Sequence, residues 1–150
     1  ENPEPNAVAK LPYLTAFCQE TLRIYPIVPS ATPRIASSEI EIGGYKLPEG
    51  TWIIPSIYLA HYREEIYPEP KQFKPERFLE RQFSPYEFMP FGGGVRRCIG
   101  DALATFEMKL VLATIMSRYE FTLADNKPEI PRRRGVTLAP ANGVKMKIVG

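Results

Sequence analysis

Phe91-Gly92-Gly93-Gly94-Val95-Arg96-Arg97-Cys98-Ile99-Gly100 runs directly into a stretch, Asp101 to about Tyr119, that holds neither proline nor glycine. The reading of the chain turns on this segment. Three consecutive glycines let backbone approach a flat or bulky ligand closely and aim amide N–H groups at a sulfur. The following helix brings its positive end to the same place, so Cys98 stands where a thiolate can ligate a metal. Arg96 projects from the same loop and offers a guanidinium to an anionic group on a bound ligand. For a cysteine taken alone, the plainer reading is a buried thiol after a tight turn, and the rest of the chain has to decide.

Downstream, Leu103, Phe106, Leu110 and Ala113 form one apolar stripe, with Val111 and Ile115 on a second, which predicts a long helix over 101–119. Upstream, Leu11, Leu14, Cys18, Leu22 and Tyr25 recur at helical spacing, with Phe17 and Ile24 on the other side. They predict a buried helix over 11–25, ended by Pro26. Pro26, Pro29 and Pro33 then impose an extended path from Ile27 to Arg34. Alternation in Glu39-Ile40-Glu41-Ile42, the Gly43-Gly44 turn and Thr51-Trp52-Ile53-Ile54 predict short antiparallel strands in a β region over 35–60. Residues 62–90 carry prolines and scattered rings (Phe73, Phe78, Phe83, Tyr86, Phe88) without a period. They read as an ordered meander pinned by rings instead of ladders. Val136 and Leu138, then Asn142-Gly143, then Val144, Met146 and Ile148, predict a C-terminal hairpin over 136–149. The class is mainly α with small antiparallel β-hairpins, α+β.

Composition excludes several functions. The net charge is only +2 over 150 residues, and lysines and arginines are spread along the chain. Neither a nucleic-acid footprint nor a polybasic anchor stands out, and Arg132-Arg133-Arg134 is too short to make one. The 16 prolines and 10 glycines demand much extended or irregular backbone. Two cysteines in unlike contexts suggest no disulfide framework, and Cys18 reads as a buried thiol. No apolar run approaches the ~18 residues of a membrane span. The chain opens on Glu1-Asn2-Pro3-Glu4-Pro5 without an initiator methionine, and a piece of a longer protein is expected. Membrane anchoring is therefore left undecided.

A second constellation is Glu20-x-x-Arg23, which puts acid and base side by side on one helix. Phe17 and Ile24 flank Glu20, so the pair is expected to be desolvated, and Arg77 in Pro75-Glu76-Arg77-Phe78 is an attractive third member. His61, the only histidine, reads as a hydrogen-bonded structural residue and not as a ligand.

Taken in order, Glu20-x-x-Arg23, Pro75-Glu76-Arg77-Phe78 and Phe91-x-x-Gly94-x-Arg96-x-Cys98-x-Gly100 resemble the cytochrome P-450 superfamily of haem-thiolate monooxygenases. The likeness covers essentially all 150 residues. It implies that 1–150 is the C-terminal haem-binding portion of a single larger domain. It further implies that Cys98 is the axial thiolate on the iron of haem b, and that Arg96 and Arg34 partner the propionates. Phe91 would pack near the sulfur, and Gly92, Gly94 and Gly100 would give close backbone approaches. Glu20, Arg23 and Arg77 match the family's structural ion network. Val28, Pro29 and Ser30 would pass over the distal face, with Val136 and Thr137 reaching in from the C-terminal side, to form a pocket for a lipophilic substrate. Arg96, Arg97 and Lys109 would contribute to a basic patch for an acidic electron donor, a ferredoxin or flavoprotein reductase.

The implied reaction inserts one oxygen atom from O2, with NAD(P)H-derived electrons. The distal helix that handles protons in the family lies upstream of this stretch, so these residues alone are not expected to turn over. Two rival readings are a haem-thiolate isomerase or dehydratase of lipid peroxides, and a non-catalytic remnant that only binds a partner. A cytoplasmic location, or one on the cytoplasmic side of a membrane, is expected.

Overall fold

The computed structural model describes residues 4–125 and 127–150; the opening Glu1-Asn2-Pro3 lies outside the described residues. Helix α1 (Pro5–Ala9) begins where the Glu4 carboxylate accepts the amides of Asn6 and Ala7. Helix α2 (Pro12–Ile24) opens with a proline in its first turn, where the missing N–H is not needed, and stops at Tyr25 before Pro26. Its buried residues are Ala16, Cys18, Glu20, Leu22, Arg23 and Ile24, while Phe17 and Tyr25 are exposed. The core face is thus apolar with an ion pair set into it, instead of apolar on two sides.

The described strands form four two-stranded antiparallel ladders. β1 (Arg34–Ile35) pairs with β4 (Trp52–Ile53), and β2 (Ile40–Ile42) pairs with β3 (Tyr45–Leu47). The second ladder turns on Gly43 and Gly44, whose φ of 58° and 82° suit the primed turns of tight hairpins. The β region ends before residue 60. The Ser56 hydroxyl accepts the Leu59 amide and so caps a short helix, α3 (Ile57–His61). His61 is the last residue of this helix.

The C-terminal strands correct the sequence reading more sharply. β7 (Thr137–Pro140) pairs with β6 (Pro131–Arg134) around Gly135-Val136, and β8 (Met146–Ile148) pairs with the distant β5 (Phe121–Leu123). There is no hairpin across Asn142-Gly143. Gly135 takes φ 63° and its carbonyl accepts Arg133 Nε at 2.7 Å, so the tight turn forms there. The strand it serves is Arg132-Arg133-Arg134, whose exposed positions carry no hydrophobic alternation to announce them. Gly143 also takes a positive φ, of 72°, but it lies on the path from one ladder to the next.

The 62–90 meander contains one short helix, α4 (Arg77–Glu80), and is held by rings. Phe17 meets Phe73 edge-on at 5.1 Å, Tyr67 stacks on Phe83 at 4.8 Å, and Phe78 touches both Phe83 and Phe88 at 4.9 Å. Tyr86 stays exposed and instead lies behind Gly93. Helix α5 (Asp101–Met116) follows the cysteine loop and leaves its helical path at Ser117, short of Tyr119. It packs on α1 and α2, and α2 also meets α3 and α4, so α2 is the central element. Among the described residues, no helix is long and apolar enough to cross a membrane.

Candidate functional site

The cysteine loop is built by backbone. Gly92 and Gly94 take φ of 77° and 67°, left-handed values that a side chain would strain. At Gly93 space decides, because an added Cβ would meet the Pro85 carbonyl at 3.0 Å. The Gly92 amide donates to Met89 O at 2.9 Å, a 3-10 turn spans Gly94–Arg96, and the Cys98 amide closes the loop on Phe91 O at 2.9 Å. Gly100 sits beside the sulfur, where an added Cβ would lie 3.8 Å from Sγ, an ordinary contact.

The resulting surface has one thiol and little else that can ligate. Cys98 is exposed, and Val95 and Ile99 on either side of it are fully so. Arg96 is exposed and has no ion-pair or hydrogen-bond partner among the described residues, whereas Arg97 pairs with Asp101 at 2.5 Å. Behind the loop, a cavity of about 250 Å³ is lined by Cys18, Leu22, Phe88, Phe91, Gly92 and Thr105, among others. Among the described residues, no three histidine, cysteine or acidic side chains come together to hold a metal ion. A lone soft donor suits a metal whose other positions a cofactor already fills. The apolar rim and the unpaired guanidinium suit a flat apolar cofactor with an acidic edge, so the residues present fit a haem.

Beneath the loop lies the ion network. The Glu20 carboxylate, fully buried, accepts Arg23 Nε at 2.7 Å and Nη2 at 2.8 Å, Arg77 Nε at 3.2 Å and the Lys74 amide at 2.9 Å. Arg23 donates further to His61 O at 2.8 Å, and Arg77 to Pro68 O at 3.1 Å. Tyr67, with no exposed surface, lies under both guanidinium groups at 5.0 and 6.0 Å and donates its hydroxyl to Glu87 O at 2.9 Å. Burial pushes its phenol well above the usual range. Two buried guanidinium groups thus share one carboxylate, and backbone carbonyls of His61, Gln72 and Pro68 take further N–H donors, so no buried partner is left without a hydrogen bond. No sequence pattern marked Tyr67 or the Lys74 amide as members of this network.

Lys109 does not join a surface basic patch. It is 9% exposed, and Nζ donates to Ala9 O at the end of α1 at 3.0 Å. α5 packs on α1, and the lysine caps the end of that helix. Cys18 is fully buried, and burial raises its thiol pKa.

On the other side of α2, the extended segment is fixed by the backbone. Leu138 N donates to Ile27 O at 2.7 Å, Tyr58 N to Pro29 O at 3.0 Å, and Ser30 bridges to Ser56. The structure thus brings the 27–30 segment against β7. Val28, Pro29, Ser30 and Thr137 are half-buried there, and Val136 is exposed at the turn. Arg34 donates Nη1 to the carbonyls of Thr32 and Pro33 at 3.0 and 3.1 Å. An apolar cavity of about 330 Å³ lies nearby, lined by Tyr25, Pro26, Tyr58, Leu138 and Pro140 among others. Val28, Pro29, Ser30, Val136 and Thr137 do not line it.

A thiol presented alone at the head of a helix, between apolar shoulders and beside a free arginine, fits the class of proteins that hold a metalloporphyrin through one thiolate. The profile of the Cytochrome P450 family matches residues 1–148, and the chain belongs to that family of haem-thiolate monooxygenases. A Mycobacterium bovis protein provisionally named cytochrome P450 135B1 is 38% identical over 91% of this chain and 29% of its own length. Sterol 26-hydroxylase, mitochondrial, of Mus musculus is 33% identical over 96% of this chain and 28% of its own. Among solved structures, a retinoic acid-bound cyanobacterial cytochrome P450 superposes with a TM-score of 0.86 at 29% identity, over 96% of this chain and 34% of that one. The chain therefore spans under a third of the length of these curated relatives.

Proposed function

We propose that this chain is the haem-binding part of a monooxygenase that inserts one oxygen atom from O2 into a lipophilic substrate. The observation that carries the reading is Cys98, exposed and unpaired at the start of α5, with the free Arg96 two residues away. Cys98 would hold the iron, Arg96 and Arg34 would meet the propionates, and Phe91, Gly92, Gly94 and Gly100 would wall the sulfur. When bound, a thiolate-ligated haem supplies electron density that favours O–O cleavage, a chemistry that belongs to the cofactor.

What the chain itself does is position and exclude. The Cys98 amide on Phe91 O fixes the backbone that carries the sulfur, and the Gly93 contact with Pro85 seats the loop against the meander. The buried network of Glu20, Arg23 and Arg77 holds the meander to α2, so the base of the loop cannot drift. Val28, Pro29, Val136 and Thr137 offer mostly apolar surface on the substrate side. The mouse relative's name and the retinoic acid bound in the cyanobacterial structure point the same way, to isoprenoid-like or steroid-like molecules. Electrons would come from NAD(P)H through a separate ferredoxin or flavoprotein reductase, with Arg96 and Arg97 as the nearest cations.

The test uses the protein at its full natural length. NAD(P)H-dependent turnover of a lipophilic substrate under oxygen-18 gas should place one labelled atom in the product. Product formed from a lipid peroxide without reductant would instead establish the isomerase reading, and failure to take up haem would leave only a binding module.

A further inference from the structure

His61 is buried at 0% exposure, and no role in haem binding or turnover has so far been assigned to it. Its two ring nitrogens face chemically opposite partners. Nδ1 lies 3.2 Å from Arg23 O, which can only accept, and Nε2 lies 3.0 Å from the Met89 amide, which can only donate. The ring is therefore neutral, with its proton on Nδ1. The Arg23 guanidinium returns the contact by donating to His61 O at 2.8 Å, so helices α2 and α3 are clasped twice through the same two residues. Phe88 stacks on the imidazole at 5.5 Å and Tyr67 meets it edge-on at 6.2 Å, which fixes the ring plane.

The Nε2 bond is what leads outward. Met89 enters the cysteine loop, and its carbonyl accepts the Gly92 amide; one residue before Gly92, Phe91 O accepts the Cys98 amide. Three hydrogen bonds thus run from the imidazole to the backbone of the thiol. We propose that His61 is a positioning residue for Cys98, a neutral tie that sets the height of the cysteine loop over α2 through the Met89 amide. This rests on the reading of Cys98 as the haem ligand.

Protonation would abolish the tie, because imidazolium cannot accept from an amide. The charged groups that face the ring are Arg23 and Glu20, both on α2, and burial is the larger influence, holding its pKa down at about 4. The tie therefore persists throughout the neutral range.

The experiment compares wild type, His61→Gln, His61→Asn and Cys98→Ala in the full-length holoprotein, reading the Soret band of the reduced carbon monoxide complex. Glutamine reaches far enough to accept the Met89 amide, whereas asparagine reproduces only the Nδ1 side. The glutamine variant should keep the red-shifted thiolate band. The asparagine variant should lower the ratio of thiolate-ligated to unligated haem roughly tenfold, the scale set by one unsatisfied buried amide. Ile57→Ala, in the same helix and away from the loop, should lose stability but keep the band. Equal bands for His61→Asn and His61→Gln would overturn the proposal. A red-shifted band surviving in Cys98→Ala would overturn the haem-ligand reading itself, a distinguishable failure. Should the asparagine variant not fold, amide hydrogen exchange of wild type decides: slow exchange at Met89 and Cys98 supports the tie, and exchange at Met89 as fast as in exposed loops refutes it.

Discussion

Glu20→Gln should be among the most damaging single-atom changes available in this chain. It swaps one carboxylate oxygen for an amide nitrogen at a side chain with 0% exposure, leaving the shape intact. In the folded protein that carboxylate accepts four hydrogen bonds, from Arg23 Nε and Nη2, Arg77 Nε and the Lys74 amide. The glutamine can accept on one oxygen only, and its amide group faces a donor. Arg23, at 0% exposure, and Arg77, at 8%, would then be cations without a counter-charge. Removing one partner of a buried pair costs about 3–5 kcal/mol. Urea unfolding followed by circular dichroism should show a midpoint lowered accordingly at an unchanged slope. Adding Arg77→Met should recover part of the loss, because one stranded cation is removed with it; the two changes should be far from additive. Glu65→Gln, in the exposed pair with Arg63, should leave the midpoint where it was. A Glu20→Gln cost below about 1 kcal/mol, or strict additivity with Arg77→Met, would refute the claim that this network anchors the meander.

Other outcomes follow from single contacts. His61 titrates at about 4 in the folded protein against 6.5 for a free imidazole, so the unfolded chain binds its proton first as pH falls. Stability from this group is complete above pH 6.5 and is lost as pH drops toward 4, by about 3 kcal/mol in all, and His61→Gln should remove that part of the pH dependence in unfolding measurements. Gly93→Ala places a Cβ 3.0 Å from the Pro85 carbonyl and should cost about 1–3 kcal/mol by the same unfolding assay. Cys18, buried with a raised thiol pKa, should resist maleimide until the protein unfolds, at a labelling rate that tracks global opening.

Spacing carried the helices well because period is a local property. Pro12 to Ile24 and Asp101 to Met116 show their stripes in the sequence and end at Pro26 and near Ser117. The Gly43-Gly44 hairpin was equally plain, since turn and flanking alternation lie within eight residues. The C-terminal pairing was not. Arg132-Arg133-Arg134 has the composition of a solvated run, and its strand character comes only from the ladder with Thr137–Pro140. β8 finds its partner 25 residues back, at β5, a choice that tertiary packing makes and an Asn-Gly turn signal conceals. Within the candidate site, residue types announced Cys98, Arg96 and the Glu20–Arg23 pair. Lys109, a charge on an apolar helix, gave no sign that the end of α1 would bury it. His61 could be read as hydrogen-bonded, but its link to Met89 joins residues 28 apart and exists only once the meander has folded.

The claim on which the rest depends is that Cys98 holds the iron. X-ray absorption at the iron edge of the haem-loaded, full-length protein measures this directly. A sulfur scatterer in the iron's first coordination shell is predicted for wild type and is predicted to vanish in Cys98→Ala, with Cys18 too deeply buried to replace it. Sulfur coordination that persists in Cys98→Ala, or a wild-type shell of nitrogen and oxygen alone, would contradict the account.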